Sequence, residues 1–295
     1  MLRLQNRAIP KTTAHGDAAR TPGSGTARLK TLYFMKYLMD LGLSGKVALV
    51  AAASQGLGLA SARAIAAEGG RVAILSRRQE ELDRVAAEIG AAMTVACDLS
   101  QAESISSAVA KVNSELGGIS ILVNNCGGPP PGTFDSITEE QWRSSFEQVF
   151  LSALRLTRAA LPSMRAAKWG RIVNIVSSSV EQPIPGLIIS NAFRPAIAGW
   201  AKTLASEVAA DNILVSCVAP GRILTARTAS LDQAMADKTG RPLDDIRKER
   251  VAAVPLKRYG TPEEFGATVA YLASERASYL TGSVIRVDGG AVTAI

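Results

Sequence analysis

Beyond residue 44 the chain alternates short apolar runs with longer segments of helical period. KVALVAA, RVAILS, MTVACD, SILVNN, RIVNIVS, ILVSCVAP and SVIRVDGG are brief and rich in β-branched residues. Runs of that length suit strands buried on both faces of a parallel sheet. Between them lie helical segments. In RRQEELDRVAAEIG, Leu82, Val85, Ala86 and Ile89 fall at i, i+3, i+4 and i+7, one face of a helix. GLGLASARAIAAEGG and AESISSAVAKVNSELG read as helices closed by glycine. A long helix is expected over roughly 138–168, and another begins in LIISNAFRPAIAGWAKTLA. Seven strands alternating with helices predict an α/β fold, a doubly wound parallel seven-stranded sheet of Rossmann type. No repeat or linker interrupts residues 44–295, so one domain is expected there.

Residues 1–43 carry no such pattern. They read as a disordered extension, with Met35 and Met39 as alternative starts and an arginine-rich transit peptide as the weaker reading. This segment also accounts for the charge. Of the net +7, residues 1–38 hold six, through seven basic side chains against Asp17. The domain is nearly neutral, which argues against a nucleic-acid partner. Hydrophobic residues make up 47% of the chain, ample for one core, yet no apolar run approaches the ~18 residues of a membrane span. Cys97, Cys126 and Cys217 lack metal-ligand spacing, so no metal is expected. Unpaired cysteines fit a reducing compartment, and a cytoplasmic location is the simplest expectation.

The turn AAASQGLGLA joins the first strand to the first helix. Gly56 and Gly58 allow a tight turn and close approach of a phosphate to the positive end of that helix. A plain strand-to-helix turn would also use such glycines. Three further stretches, LVNNCGG, VAPGRILT and YLTGSVIRVDGG, together with CDLS, complete the pattern. On these residues the chain, from about 44 to its end, resembles the short-chain dehydrogenase/reductases, and among them the 3-oxoacyl-(acyl-carrier-protein) reductases.

The resemblance implies a nicotinamide cofactor across the carboxyl ends of the strands. Its binding residues would be Ser54, Gln55, Gly56, Leu57 and Gly58 in the turn, Asp98 and Leu99 beside the adenine, Asn125 and Gly127, and Pro220, Gly221 and Thr225. Where NAD users of the family carry an aspartate, this chain has Ser76 followed by Arg77 and Arg78. A guanidinium accommodates a 2′-phosphate that a carboxylate would repel. NADP is therefore expected, with NAD possible and Arg77 the discriminating residue. A solvated helix start is the alternative role for the arginines. The resemblance also implies a homo-oligomer, a tetramer built on the helices around 138–168 and 190–210.

The chain departs from the family's pattern where chemistry is done. Ala51 and Ala52 stand for the threonine and first glycine of T-G-x-x-x-G-x-G, and a Cβ at Ala52 would crowd the turn or change its backbone angle. Of the catalytic Asn, Ser, Tyr and Lys, only the serine remains, as Ser177. Val149, seven residues after Trp142, stands at the asparagine station, Ser190 at the tyrosine and Arg194 at the lysine. A serine hydroxyl is a far weaker acid than a phenol, and arginine does not relay protons. Pro195 disfavours helical geometry at Arg194, so the helix is expected to begin later, capped by Ser190 or Asn191.

The reading that follows is an NADP-dependent oxidoreductase of a carbonyl/alcohol pair with an atypical site. Ser177 would bind the carbonyl oxygen and Arg194 the ribose or substrate, with the proton from Ser190, Glu181 or water. The alternatives are a cofactor-binding protein without turnover and a non-redox, lyase-type enzyme. In GGPPPGTF three prolines stiffen one cleft wall. Residues 222–255, with Arg222, Arg227, Lys238, Arg241 and Arg247, lie where the family carries a substrate lid, and read as a solvated helical surface rather than an anion site.

Overall fold

The computed structural model describes residues 40–294. Seven strands form one sheet: β1 Val47–Val50, β2 Arg71–Ser76, β3 Met93–Ala96, β4 Ile121–Asn124, β5 Gly170–Ile175, β6 Ile213–Pro220 and β7 Val284–Val287. Their order is β3-β2-β1-β4-β5-β6-β7, and every pairing is parallel. The order reverses between β1 and β4, which opens a crevice at the carboxyl ends of those strands, where such sheets bind ligands.

The helices are α1 Gly56–Ala67, α2 Gln79–Ile89, α3 Ala102–Leu116, α4 Glu139–Ser145, α5 Ser152–Ala167, α6 Ile188–Val208, α7 Ala226–Thr239, α8 Leu243–Ala252 and α9 Pro262–Leu272. Alternate strand residues face opposite layers. Val47 and Leu49 pack with Val109 and Val112 of α3, Leu156 of α5 and Ile197 of α6. Ala48 and Val50 pack with Ile65 of α1, Leu82 of α2 and Phe265 of α9. Both faces are therefore dry, which explains why the strands read as unbroken apolar runs. Leu43 is fully buried in the second layer, and Glu275 N–H donates to Leu41 O at 3.0 Å, so packing starts a few residues before the strand pattern. Residues 1–39, the rest of the expected extension, lie outside the described part of the chain.

Two departures from the expected helices concern the site. The long helix over 138–168 is interrupted by a π-turn, Phe146–Leu151, between α4 and α5. Such turns insert one residue and re-aim the side chains around them. Helix α6 does not wait for Pro195. It begins at Ile188, with Leu187 before it, so neither Ser190 nor Asn191 is the cap. Its start is held from outside: Gly132 N–H donates to Gly186 O at 2.7 Å, and the Asn191 amide bonds both the N–H and the carbonyl of Ile184, at 3.1 and 2.9 Å. Pro195 then sits in the second turn, where it forfeits the bond to the Asn191 carbonyl and crowds that carbonyl with its ring.

Candidate active site

The turn after β1 carries the first group of expected residues. Ala52 keeps φ = +47°, a left-handed conformation natural to the glycine it replaces and strained for alanine. The turn is thus preserved at a cost in strain instead of being remodelled. Asn125, just past β4, donates from Nδ2 to Ala52 O at 3.2 Å and ties the turn to the neighbouring strand. Gly58 is obligatory: a Cβ there would lie 2.4 Å from Ala52 O and 2.7 Å from Asn125 Nδ2. Gly56 also has positive φ, and a Cβ on it would stand 3.9 Å from the Thr225 side chain. Gly56 at the start of α1 and Thr225, which caps α7 by accepting from Thr228 N–H, therefore face one another across a narrow gap. Gln55 is extended ahead of α1 and its side chain does not cap the helix, so the N–H groups of the first turn, Leu57 included, have no side-chain cap.

The end of β2 completes the nucleotide side. Ser54 and Ser76 share a hydrogen bond at 3.1 Å, joining the glycine turn to the second strand. Arg78 is committed to an ion pair with Glu81. Arg77 is exposed and has no hydrogen bond or ion pair among the described residues. Asp98 follows β3 with its carboxyl pKa lowered, first by the Ser100 N–H and hydroxyl, and also by the Arg77 charge. Leu99 beside it is buried. Gly127 has the Gln148 amide nitrogen 3.0 Å from where its Cβ would be, and Gly221 has Asp288 at 2.6 Å. Pro220 ends β6 beside Val287. At Gly58 and Gly221 an added Cβ would collide with neighbouring protein atoms, and at Gly127 it would be tight.

The catalytic stations are more altered. Ser177 follows β5, and its Oγ accepts from Ser179 N–H at 3.1 Å, which leaves its own hydrogen to donate. Ser190 is buried in the first turn of α6, and its hydroxyl has no hydrogen bond among the described residues. Arg194, 6% exposed, points into the protein: Nη1 donates to Ile175 O at 2.7 Å and Nη2 meets Cys126 Sγ at 3.4 Å. No carboxylate among the described residues pairs with it. Val149 is buried within the π-turn, and with Arg194, Cys126 and Asn124 it lines a void of about 10 Å³, room for a single water. Asn124 carries a buried Oδ1 that has no partner among the described residues. Glu181 is not brought to the site. Its carboxylate bonds Arg286 of β7 at 2.8 Å.

Across the cleft, the proline-rich loop contacts the lid segment. Arg227 donates from Nη2 to Pro129 O at 2.6 Å. The lid helices α7 and α8 hold a buried cluster that sequence reasoning did not find: Asp232, 1% exposed, lies 2.6 Å from Arg250 Nη1 and accepts from Tyr259 Oη at 2.7 Å. Burial and Asp232 together push the Tyr259 phenol up to about 12. The only signal in the sequence was an aspartate inside an otherwise surface-like helix.

Comparison with known proteins agrees with this geometry. A sequence profile for the enoyl-(acyl carrier protein) reductase family matches residues 51–292. The chain is 38% identical over 250 residues to nodulation protein G of Rhizobium sp. (strain N33), covering 84% of this chain and 97% of that one. The chain belongs to the short-chain dehydrogenase/reductase family. It is 37% identical over 254 residues to the dehydrogenase/reductase SDR family member 4 of Oryctolagus cuniculus, covering 84% and 94%. L-sorbose reductase of Gluconobacter frateurii, solved with NADPH and L-sorbose, superposes with a TM-score of 0.82 at 34% identity, covering 87% of this chain and all of the other. A variant of the actinorhodin polyketide ketoreductase, solved with NADPH, superposes at 0.80 and 31% identity, covering 83% and 97%. Among the described residues, no helix is long and apolar enough to cross a membrane.

Proposed function

We propose that the protein is an NADP-dependent carbonyl reductase of 3-oxoacyl type, in which water replaces the family's tyrosine as proton donor. The observation that carries this reading is the Ser177 hydroxyl. Its oxygen accepts from the Ser179 N–H, which leaves its hydrogen available for a substrate carbonyl. The Gly56, Gly58 and Thr225 cradle would hold the pyrophosphate, Arg77 the 2′-phosphate, and Asp98 with Leu99 the adenine. NADPH, when bound, supplies the hydride. Ser177 polarises the carbonyl oxygen by donating to it, as an oxyanion donor does. Ser190 is too weak an acid to protonate the alkoxide efficiently at neutral pH. Arg194 stays charged and carries no proton, so its part is to fix the floor of the cleft by tying the end of β5 to Cys126. With Glu181 held by Arg286, solvent is the remaining source of the proton.

Relatives solved with NADPH support the choice of cofactor. The reading includes a small carbonyl or alcohol substrate, a cytoplasmic setting and a homotetramer. An aromatic surface favours the last: Phe146 stacks on Phe150 at 5.5 Å and meets Phe193 at 5.7 Å, and Phe146 remains 39% exposed on the α4–α6 face. One observation favours a second reading, a cofactor-binding subunit without turnover. Arg194 is turned inward instead of toward the ribose. NADPH oxidation over a panel of 3-oxo esters, ketoses and ketones, with Ser177→Ala as control, separates the two. The reductase reading requires slow turnover that the variant loses.

A further inference from the structure

A second cavity, of about 210 Å³, lies where the loop after β6, the segment before α9 and the end of β7 meet. Arg222, Arg258 and Arg286 line it together with Glu264, Asp288 and the exposed Leu256. Counting donors and acceptors shows what the cavity lacks. Glu264 is saturated: Oε1 accepts from Arg258 Nη2 at 2.6 Å, and Oε2 from Arg258 Nη1 and Thr261 N–H, both at 2.8 Å. Its pKa is accordingly lowered to about 2, and it stays ionised. Each oxygen of Asp288 accepts one backbone N–H, from Gly290 at 3.0 Å and from Val292 at 2.9 Å. Arg286 spends only Nη1, on Glu181 and Ala294 O. Arg222 spends nothing: it makes no hydrogen bond or ion pair through its side chain among the described residues, although it is only partly exposed.

Every carboxylate oxygen lining the cavity already accepts at least one hydrogen bond, whereas the side-chain donors of Arg222 are unused among the described residues. Arg222 is also an uncomfortable cation. Burial lowers its pKa first, and the like charge of Arg250 lowers it further, against the weaker pull of Tyr259 and Asp232. Asp232 makes no hydrogen bond to Arg222; its oxygens face Arg250 Nη1 and Tyr259 Oη. A partly desolvated guanidinium with unused forked donors is a receptor for a planar or tetrahedral oxyanion.

We propose that this cavity is a second ligand site, separate from the nucleotide cleft, which binds a small oxyanion of phosphate or carboxylate type through Arg222 and the free Nε and Nη2 of Arg286. The Arg222 carbonyl accepts from Gly260 N–H at 2.9 Å, and Gly260 O accepts from Leu224 N–H at 2.9 Å. The anion would therefore brace the strip that leads to Thr225.

The test is calorimetric titration of the full chain at constant ionic strength, with inorganic phosphate and citrate as probes and chloride as the control. Each titration is run with and without saturating NADP⁺. Saturable binding is expected for phosphate or citrate but not for chloride, with the preference between them telling phosphoryl from carboxylate ligands. Arg222→Gln should weaken it roughly tenfold or more, as expected for a lost charge-assisted pair. Leu256→Glu, which places a negative charge at the rim without removing a buried contact, should weaken it similarly and decides the matter if Arg222→Gln does not fold. Binding must survive NADP⁺. Absence of saturable binding, undiminished binding by both variants, or loss of binding on adding NADP⁺ would overturn the proposal; the last would show that the anion had been in the nucleotide cleft. The site is read from Arg222 and not from Ser177, so an absence of reductase activity does not bear on it.

Discussion

Replacing Ala52 by glycine should stabilise the protein, an unusual expectation for a change to glycine. Ala52 sits at φ = +47° with its carbonyl receiving Asn125 Nδ2 and abutting the Cα of Gly58, so its backbone cannot relax to negative φ without breaking the turn. An L-residue in that region costs roughly 1–2 kcal/mol. Glycine removes this cost but adds about 0.4–1 kcal/mol of unfolded-chain entropy. The difference is a gain of about 0.8 kcal/mol, or about 2–3 °C in Tm for a domain of this size. Scanning calorimetry measures it, and Ala52→Val provides the opposite arm, because a β-branched residue at positive φ is strained further. Glycine should also leave NADPH affinity within about threefold of the parent, since the turn is already in its binding shape. A Tm that falls on Ala52→Gly, or one that does not drop with Ala52→Val, would refute the strain argument.

Other consequences are as direct. NADPH should bind at least about tenfold tighter than NADH, and Arg77→Asp should narrow or reverse that preference, since one phosphate contact carries about 1.4 kcal/mol. Fluorescence titration with both cofactors checks it, and equal affinities in the parent would contradict the assignment of Arg77. Asp232→Asn should cost about 3 kcal/mol by leaving Arg250 without a counter-charge, lowering Tm by roughly 6–12 °C; a shift under a degree or two would show the cluster to be dispensable. Ser190→Tyr with Arg194→Lys should raise carbonyl reduction by about 10²-fold, the low end for general acid help, because Val149 still lacks the family's asparagine. No gain in steady-state rate would mean that these stations do not face the cofactor.

Much of the fold was legible because a parallel sheet buried on both faces leaves a simple trace, a run such as VALV or RVAILS followed by a helical face. The limits of the trace are instructive. Pro195 argued locally for a late helix start, but the Asn191 amide bonds back to Ile184 and Gly132 N–H holds Gly186 O from 54 positions away, a partner no local window contains. The π-turn around Val149 leaves helical periodicity almost intact, so it reads as an ordinary helix. Ala52 was visible as an alanine in a glycine position, yet only the backbone shows that the strain is endured. Glu181 was near Ser177 in sequence, but its partner, Arg286, lies 105 positions away. Likewise, the inward turn of Arg194 depends on Cys126, 68 residues earlier.

The central claim is that Ser177 still activates a carbonyl for reduction although the tyrosine and lysine are gone. It is tested most directly by following NADPH absorbance with the best substrate of the carbonyl panel, comparing the parent with Ser177→Ala at saturating cofactor. The account predicts slow oxidation in the parent, and a loss of kcat of about 10²-fold or more in the variant, the scale of removing one oxyanion donor. Equal rates in the two proteins, or NADPH that binds but is never oxidised, would contradict it.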